Sequence, residues 1–478
     1  MLGRERLEWE VATRKIGVVV LDADPPAKPQ CAAMLVPQGR ELDWIFSSKS
    51  GQQQLLASSG VATLILLSRG GLGSEEEGPA LDEWELDEEE DEDEELKKFL
   101  GPFLLQLVRN KAGLDEIQEV PFACYQDNVV WSRVLERAYS RKTGMMLVED
   151  VRLEGGHLRR RLRFKSLPNL IQTEVPLLGG DLDLGLDRTD SPSACSIDHG
   201  VLVHAYLAPL VAGFSLISRC LESCSAAGDP AGVLCVGIGG GALPMFLSSR
   251  MDAAVAAMEV VAVDVDEVVV DVARRRFGLV PAENLRVHVE DGVETVRNIA
   301  RSRLEDGGGA EKEKMAEHFF HAIVVDVSDG SSRSCPPEEF AEGEFLRDAR
   351  SALDSGGMLA MNVMPLGEES HRGLLKRIGE VFDEVYQSEV SSGDNFAVFA
   401  LKNPLRGVSV PLTCKIGNLV GSELLSNIFK VETSYFLWKE SLGSQTKFSC
   451  SENQNLLWSL LVGSQLVSKH ERKGNEAS

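Results

Sequence analysis

The chain of 478 residues has 43% hydrophobic residues and a formal net charge of −25. That hydrophobic content is ordinary for a globular protein, so the composition excludes a disordered chain, and the length allows two or three domains. An acidic chain lacks the basic surface that generic nucleic-acid binding requires, so nucleic acid is not an expected partner.

The cysteines and the N-terminal residues indicate the compartment. The nine cysteines include no CxxC pair, and Cys220 and Cys224 have no second cluster to complete a zinc site, so no metal site is predicted. The chain begins with charged residues rather than with an apolar signal core, and no apolar run approaches the length of a membrane span. The sequence therefore predicts a soluble, cytoplasmic protein that does not contact a membrane.

Residues 1–180 predict a smaller α+β region. Strand-like runs occur at 16–21, 34–36 and 62–67, and a helical pattern covers 95–111. Residues 145–164 predict a β-hairpin, because two strand patterns flank Gly155-Gly156. The arginines of its second strand are interpreted as a solvated edge that discourages further pairing; these are Arg159, Arg160, Arg161 and Arg163.

Much of the acidity lies in one segment of this region. Residues 75–95 include 15 acidic residues and no Lys or Arg. Like charges this close repel each other and stay solvated. The sequence therefore predicts a low-complexity surface insertion rather than a docking site for a basic partner.

Three further segments complete the predicted organisation. Residues 181–196 are rich in Asp and Ser and predict a connector, and 197–408 predict the catalytic domain. A helical pattern over 201–220 contains His204, a candidate substrate contact. The tail 409–478 matches no pattern and is left without a predicted structure.

A glycine-rich turn stands near the start of the catalytic domain. Gly237, Gly239, Gly240 and Gly241 follow the apolar run Val233–Val236 and precede a segment that can open a helix. A turn without side chains between a strand and a helix lets a ligand approach the backbone and its N–H groups. These glycines are predicted to bind a cofactor, although glycine clusters also form ordinary turns.

Three acidic residues follow at the ends of successive strand patterns. Asp264 ends the first and is the candidate for accepting hydrogen bonds from both ribose hydroxyls. Asp291, before Gly292, ends the second and could bind an adenine amino group, whereas Asp326 ends the third, with Asp329 just beyond. Each could simply cap a helix or form a turn. Together they converge where open α/β sheets bind ligands, which favours a cofactor site.

At these residues the sequence resembles a known family. Residues 233–401 are similar to class I S-adenosylmethionine-dependent methyltransferases of the spermidine-synthase-like branch. More specifically, three segments resemble the family that methylates translation elongation factor 1-alpha on its N-terminus and on a lysine. They are 236–246 (VGIGGGALPMF), Ser334-Cys335-Pro336-Pro337, and 36–46.

The resemblance is to the second catalytic half of that family, so a single active site is expected. It implies a doubly wound, Rossmann-like α/β sheet of the class I methyltransferase type, preceded by the smaller α+β region. It also implies S-adenosyl-L-methionine as the cofactor and elongation factor 1-alpha as the protein substrate. Whether a further methyltransferase domain belongs to a longer product stays open.

Methyl transfer needs an amine held in line with the methyl group, and positioning supplies much of the acceleration. Asp326, together with Asp329, is predicted to orient that amine. The acceptor is the N-terminal amine or a lysine, and an N-terminal amine loses its proton more easily because its unperturbed pKa is about 7.7–8.0, against about 10.4 for lysine.

Three alternatives stay open. Residues 326–329 resemble the loop with which spermidine synthases hold a diamine, so a polyamine synthase using decarboxylated S-adenosylmethionine is the nearest. Gly237, Gly239 and Ala242 also satisfy the G-x-G-x-x-A pattern of nicotinamide oxidoreductases. The third alternative is a scaffold that keeps the sheet without turnover.

Overall fold

A computed structural model describes residues 3–11, 14–23, 31–69, 83–85, 90–112, 118–123, 125, 127–178, 196–304, 320–328, 335–391, 395–405 and 410–431. Every structural statement below concerns these residues. The predicted connector therefore lies outside them up to Ser196, and so do Asp329, much of the acidic insertion and the tail beyond Val431.

The part of the chain before the catalytic domain builds two sheets. Its strands are β1 Gly3–Val11, β2 Arg14–Asp22, β3 Cys31–Leu35, β4 Thr63–Arg69, β5 Glu83–Glu85, β6 Phe122–Ala123, β7 Val129–Ser140, β8 Gly144–Leu153, β9 Leu158–Phe164, β10 Ile171–Leu178 and β11 Ser196–Ile197. Its helices are α1 Trp44–Ser47, α2 Lys49–Ser59 and α3 Glu90–Ala112.

The first sheet has the order β1-β2-β4-β3-β6 and is covered on both faces. Along β2, Ile16, Val18 and Val20 pack in a cluster with residues of α3. Val19 and Leu21 point to the other face and pack with residues of α1 and α2. Because successive side chains of a strand alternate between faces, a strand buried on both faces is apolar throughout, as β2 is from Ile16 to Leu21.

The second sheet has the order β11-β10-β9-β8-β7-β5 and is antiparallel. The two strands predicted around Gly155-Gly156 are β8 and β9, which pair from Met146↔Phe164 to Arg152↔Leu158. Within the acidic insertion, Glu83–Glu85 form the edge strand β5, and Glu90 begins α3.

The interpretation of the β9 arginines as a solvated edge is wrong. Strand β9 lies between β8 and β10, and three of its four arginines, Arg160, Arg161 and Arg163, pair with acids of those neighbours. Arg161 pairs with Glu174 at 2.7 Å, and Arg160 with Asp150 at 2.7 Å. A buried charge is stable only when it is paired, so these arginines require the acids on both flanking strands.

A buried ion pair joins the two sheets. Arg40, 2% exposed, donates to Asp43 and to Asp127 at 2.8 Å each, with its guanidinium 5.2 Å from the ring centre of Tyr125. Burial alone would raise the pKa of Asp127, but the charge of Arg40 lowers it below its ordinary value. Arg40, which lies within one of the family-like segments, therefore has a structural role in this fold.

The catalytic domain is built on an eight-stranded sheet. Its strands are β12 Ala231–Val236, β13 Met258–Asp264, β14 Leu285–Val289, β15 Phe320–Val325, β16 Leu353–Val363, β17 Glu384–Ser391, β18 Asn395–Leu401 and β19 Phe429–Lys430. Its helices are α4 Leu207–Ala212, α5 Ser218–Ala227, α6 Ala242–Phe246, α7 Asp252–Ala254, α8 Glu267–Arg276, α9 Gly292–Leu304, α10 Gly343–Ala352, α11 Glu368–Val381, α12 Val410–Val420 and α13 Ser422–Ser426. Short 3₁₀ segments cover Gly213–Ile217 and Glu338–Ala341, and a π turn covers Leu247–Met251.

The strand order β14-β13-β12-β15-β16-β18-β17-β19 is that of a doubly wound sheet. The first five strands are parallel, and β18, β17 and β19 are antiparallel. The chain runs outwards from β12 in one direction and then returns to place β15 on its other side, so the topological switch lies between β12 and β15. The predicted fold class is confirmed.

The segment Leu207–Ala227 is apolar enough and long enough to resemble a membrane span, with a mean hydropathy of 1.3. However, 67% of its most apolar window is buried inside the fold. It is divided into α4, a 3₁₀ segment and α5, which pack against the central sheet. The helix starts at Leu207 rather than at the predicted residue 201, because residues 201–206 form an irregular stretch that reaches the site described below.

The domain extends beyond the predicted boundary at residue 408. Leu412 and Ile416 of α12 belong to the same buried cluster as Leu210 of α4. Beyond α13, β19 pairs with β17 through Tyr386↔Lys430 and Gln387↔Phe429. The apolar face of α12 is covered by the rest of the domain, so the domain continues to Val431 and α12 packs on its core.

Candidate active site

A cavity lies at the carboxyl ends of the parallel strands, beside the topological switch. Its lining includes six of the predicted site residues: Gly237, Gly239, Asp264, Asp291, Gly292 and Asp326. Gly240 and Gly241 are outside this lining and pack against other protein atoms. The remaining walls come from β10, from His204 and Tyr206, and from residues that follow β15 and β16.

The first glycine of the turn is required by close packing as well as by conformation. Gly237 has a φ of 87°, which side chains rarely adopt. A Cβ added there would lie 2.1 Å from the carbonyl oxygen of Asp326. The end of β12 and the end of β15 can therefore approach each other only because residue 237 is glycine.

The N–H groups of the turn are already hydrogen-bonded within the protein. Gly237 donates to Val263 O at 2.9 Å, Ile238 to Asp264 Oδ2 at 3.0 Å, Gly240 to Thr173 Oγ1 at 2.7 Å and Gly241 to Ile238 O at 2.8 Å. These hydrogen bonds fix the shape of the turn.

Asp264 anchors the turn from the end of β13. Its Oδ2 accepts from Ile238 N and its Oδ1 from Asp266 N, at 3.0 and 2.9 Å. Burial raises the pKa of Asp264, and the backbone N–H groups partly offset that effect. Each carboxylate oxygen has a second lone pair, so both could accept ribose hydroxyls while they hold the turn.

Asp291 caps a helix and also lines the cavity. Its Oδ1 accepts the N–H groups of Val293 and Glu294 at 2.8 and 3.1 Å, in the first turn of α9. The helix-cap explanation therefore holds for this residue, alongside its place in the lining. Gly292 is required by packing, because an added Cβ would lie 2.3 Å from Val236 Cγ1.

Asp326 is a half-buried carboxylate at the other end of the cavity. Tyr206 donates its hydroxyl to Oδ2 and Asn362 its amide to Oδ1, at 3.0 Å each. Burial raises the pKa of Asp326, and these two hydrogen bonds partly offset that effect. The pKa of Tyr206 is raised well above its ordinary value by burial and by the Asp326 charge, so the phenol stays a donor.

Three buried polar atoms of the lining have no hydrogen-bond partner within the described structure. They are Gln172 Nε2, His204 Nε2 and Asn362 Oδ1. Leaving a buried polar atom unpaired costs about 1–3 kcal/mol, so a polar ligand in the cavity would stabilise them. Burial lowers the pKa of His204, which therefore stays neutral at physiological pH.

Gln172 and Thr173 were not predicted as site residues. Both belong to β10, which precedes the catalytic domain in the chain and carries no local motif. Only the packing of the second sheet against the turn brings them to the cavity. Asn362 could be placed near the cavity because it lies at the end of a strand pattern, but the sequence does not show that it contacts Asp326.

The charged side chains of the lining are all acidic. They are Asp264, Asp266, Asp291, Asp326 and Glu339, and the described lining contains no Lys or Arg. Such a cavity favours a cationic ligand over an anionic one.

The family-like Cys-Pro-Pro segment forms part of the rim. Cys335 and Met364 exchange backbone hydrogen bonds of 3.0 and 2.7 Å, which tie the segment to the end of β16. The Cys335 thiol donates to Val327 O at 3.0 Å. This segment therefore closes the cavity on the side of Asp326, where a substrate would enter. Ser334 lies outside the described residues.

His321 joins the two cysteines for which the sequence offered no partner. Its Nε2 lies 3.2 Å from Cys224 Sγ, and Cys220 completes the group. However, His321 Nδ1 accepts the Gly232 N–H at 3.0 Å, which places the proton of a neutral ring on Nε2. A metal would need the Nε2 lone pair, so this arrangement is that of a thiol–imidazole contact.

The chain matches no protein-family model, but it has curated relatives. It is 27% identical over 396 residues to an eEF1A lysine and N-terminal methyltransferase of Danio rerio, a match that covers 79% of this chain and 52% of the relative. The Homo sapiens protein of the same name is 26% identical over 412 residues, with 81% and 54% covered. The chain thus spans about half the length of these relatives, and the resemblance predicted from the sequence is confirmed.

Other matches are more distant. A polyamine aminopropyltransferase of Vibrio vulnificus is 28% identical over 167 residues, covering 34% of this chain and 46% of that protein. Human methyltransferase-like protein 13, solved with S-adenosylhomocysteine, matches with 23% identity and a TM-score of 0.38, covering 50% of this chain and 100% of that structure. A probable spermidine synthase of Corynebacterium glutamicum matches with 14% identity and a TM-score of 0.43, covering 67% and 97%.

Proposed function

We propose that this chain is an S-adenosyl-L-methionine-dependent protein N-methyltransferase whose substrate is the N-terminal amine, or a lysine, of translation elongation factor 1-alpha. The observation that carries the proposal is the half-buried Asp326 carboxylate, held by Tyr206 and Asn362 in a cavity that also contains the glycine turn. The names of the curated relatives supply the substrate. As part of this proposal, the protein is cytoplasmic.

The cavity fits the cofactor at three points. Asp264 can accept ribose hydroxyls, and Asp291 lies beside the next strand end, where an adenine could be bound. Gln172 Nε2 and His204 Nε2 are buried polar atoms without a hydrogen-bond partner among the described residues, so both can bind polar groups of the cofactor. The acidic residues of the lining suit the positive sulfonium. When bound, S-adenosyl-L-methionine supplies an activated methyl group.

The residues near Asp326 then position the acceptor. The Asp326 carboxylate and Asn362 Oδ1 can each accept an N–H of a neutral amine, whose remaining lone pair is free to attack. Tyr206 and the Asn362 amide prevent the carboxylate from rotating away. No covalent bond to the protein is needed, because holding the reactants in line accounts for much of the acceleration.

The proposal is tested by incubating the chain with methyl-labelled cofactor and elongation factor 1-alpha, followed by mass spectrometry of the labelled protein. We expect label on the N-terminal residue or on one lysine. If the chain bound S-adenosylhomocysteine but put no label on the factor, the proposed substrate would be contradicted, and the proposed cofactor would still stand. A chain that binds no S-adenosylhomocysteine would contradict both.

A second candidate function is a polyamine synthase, favoured by the match to the Vibrio vulnificus enzyme and by the acidic lining, which also suits a diamine. The test is an assay with putrescine and decarboxylated S-adenosylmethionine beside the methylation assay. Formation of spermidine would favour this candidate over the methyltransferase.

A further inference from the structure

Strand β10 contacts the glycine turn from the side opposite to Asp264. Gly240 N donates to Thr173 Oγ1 at 2.7 Å, in a bond that is buried and joins residues 67 positions apart. Thr173 itself is 4% exposed. The turn is therefore held between β13 and a strand of the second sheet.

Two of the glycines are required by this contact. A Cβ added to Gly239 would lie 2.7 Å from Thr173 Oγ1, and one added to Gly240 would lie 2.6 Å from Thr173 Cγ2. Gly240 has no positive φ, so space rather than backbone conformation excludes a side chain there. The second sheet and the glycine turn thus fit each other closely.

The second sheet also holds the neighbouring turn after β13. Thr143, between β7 and β8, donates to Asp266 Oδ2 at 2.6 Å, and Lys142 donates to Val265 O at 2.7 Å. Asp266 in turn donates its N–H to Asp264. One sheet outside the catalytic domain therefore contacts both turns that form the cofactor end of the cavity.

We propose that β10 is a working part of the cofactor site and that Thr173 is the positioning residue that fixes the glycine turn in its binding conformation. The inference rests on the proposed function. Without the Thr173 oxygen, the Gly240 N–H has no acceptor and the turn can rotate its peptide groups, so the cofactor must reorder the turn on binding.

The test compares Thr173→Val, which keeps the shape but removes the acceptor, with Thr173→Ser, which keeps the hydroxyl. Dissociation constants for S-adenosylhomocysteine are measured by calorimetry well below the unfolding temperature of each variant. We expect T173V to bind about tenfold more weakly than the wild type. T173S should bind within about twofold, because its oxygen can still accept.

A matched control comes from Thr63, whose hydroxyl donates to Asp22 at 2.7 Å in the first sheet, away from the cavity. T63V should lower the unfolding temperature without changing the dissociation constant. Unchanged binding by T173V would overturn this inference alone, as would equal weakening in T173V and T63V. A wild-type chain that does not bind S-adenosylhomocysteine would overturn the proposed function as well.

Discussion

The buried and half-buried charges of this protein divide into those that stabilise it and those that cost stability. Arg40 and Asp127 neutralise each other, and the pKa of Asp127 is lowered. Asp326 has hydrogen-bond donors, but no Lys or Arg lines the described part of its cavity, and burial raises its pKa. An acid whose pKa is raised on folding destabilises the folded state as pH rises through that raised value. The fold therefore retains the Asp326 carboxyl at a cost in stability once it ionises, which is typical of a functional group.

Replacing Asp326 by Asn should separate activity from stability. At neutral pH D326N loses the cost of a half-buried charge, so we expect it to unfold at the same temperature as the wild type or higher. Methyl transfer should fall at least about tenfold, because the acceptor amine loses its charged partner. The measurements are thermal unfolding and initial rates with labelled cofactor. Full transfer by a variant that binds cofactor normally would remove Asp326 from the mechanism.

Gly237→Ala tests the close approach of β12 and β15. The added Cβ would lie 2.1 Å from Asp326 O, so we expect S-adenosylhomocysteine to bind at least about tenfold more weakly. Gly228→Ala is the matched control, since Gly228 also has a positive φ, 78°, but nothing lies within 4 Å of its added Cβ. It should cost about 1–2 kcal/mol of stability and leave binding unchanged. Equal affinities for the two variants would show that the contact is unimportant.

At the scale of elements, strands distant in the chain are brought together by packing that no local pattern reveals. The apolar runs of β12, β13 and β15, the glycine turn after β12 and the acids at the ends of β13, β14 and β15 predicted the parallel sheet and one edge of the cavity. The sequence predicts a smaller α+β region over residues 1–180 but does not connect it to the site, because β10 has no motif, and α12 lies in the tail that has no predicted structure. Both are connected to the catalytic domain by tertiary contacts, through Thr173 and through Ile416.

Ile416→Ala tests whether α12 belongs to the catalytic core. Ile416 is 0% exposed in the cluster that includes α4, so we expect a loss of about 2–5 kcal/mol in the free energy of unfolding. Lys415→Ala, on the exposed side of the same helix, should change it by less than about 0.5 kcal/mol. Denaturant titrations of both variants provide the comparison, and a neutral I416A would place α12 outside the core.

For the whole molecule, the site is assembled from residues between Thr143 and Met364. The fold class could be predicted from the order of the strand patterns. The glycine turn and three acids of the site could be predicted because each lies where a strand pattern ends, and the topology of the sheet brings such ends together. The hydrogen-bond partners of Asp326 and the wall formed by β10 could not be predicted, because a hydrogen bond between distant residues leaves no periodic signal in the sequence. The β9 arginines show the same limit, since their acidic partners lie on other strands.

The pH dependence of transfer is a property of the whole enzyme–substrate complex. Only a neutral amine can attack, and an N-terminal amine has an unperturbed pKa of about 7.7–8.0. Under the proposed function with an N-terminal acceptor, we expect the rate to fall about tenfold for each unit of pH below that range. The same decline of the rate at low pH should appear in D326N, since it reflects protonation of the amine. Rates measured between pH 6 and 9 check this expectation. If the decline at low pH disappeared in D326N, it would be assigned to the Asp326 carboxylate instead.

All the charged side chains in the described lining are acidic, and under the proposed function this affects turnover. Methyl transfer turns the positive sulfonium of the cofactor into an uncharged thioether, so the attraction of Asp326 and its neighbours for the sulfur ends with the reaction. The spent nucleoside leaves a cavity that favours its charged precursor. Under the proposed function, the same carboxylates favour exchange of the product for fresh cofactor, and we expect S-adenosylhomocysteine to bind more weakly than S-adenosyl-L-methionine.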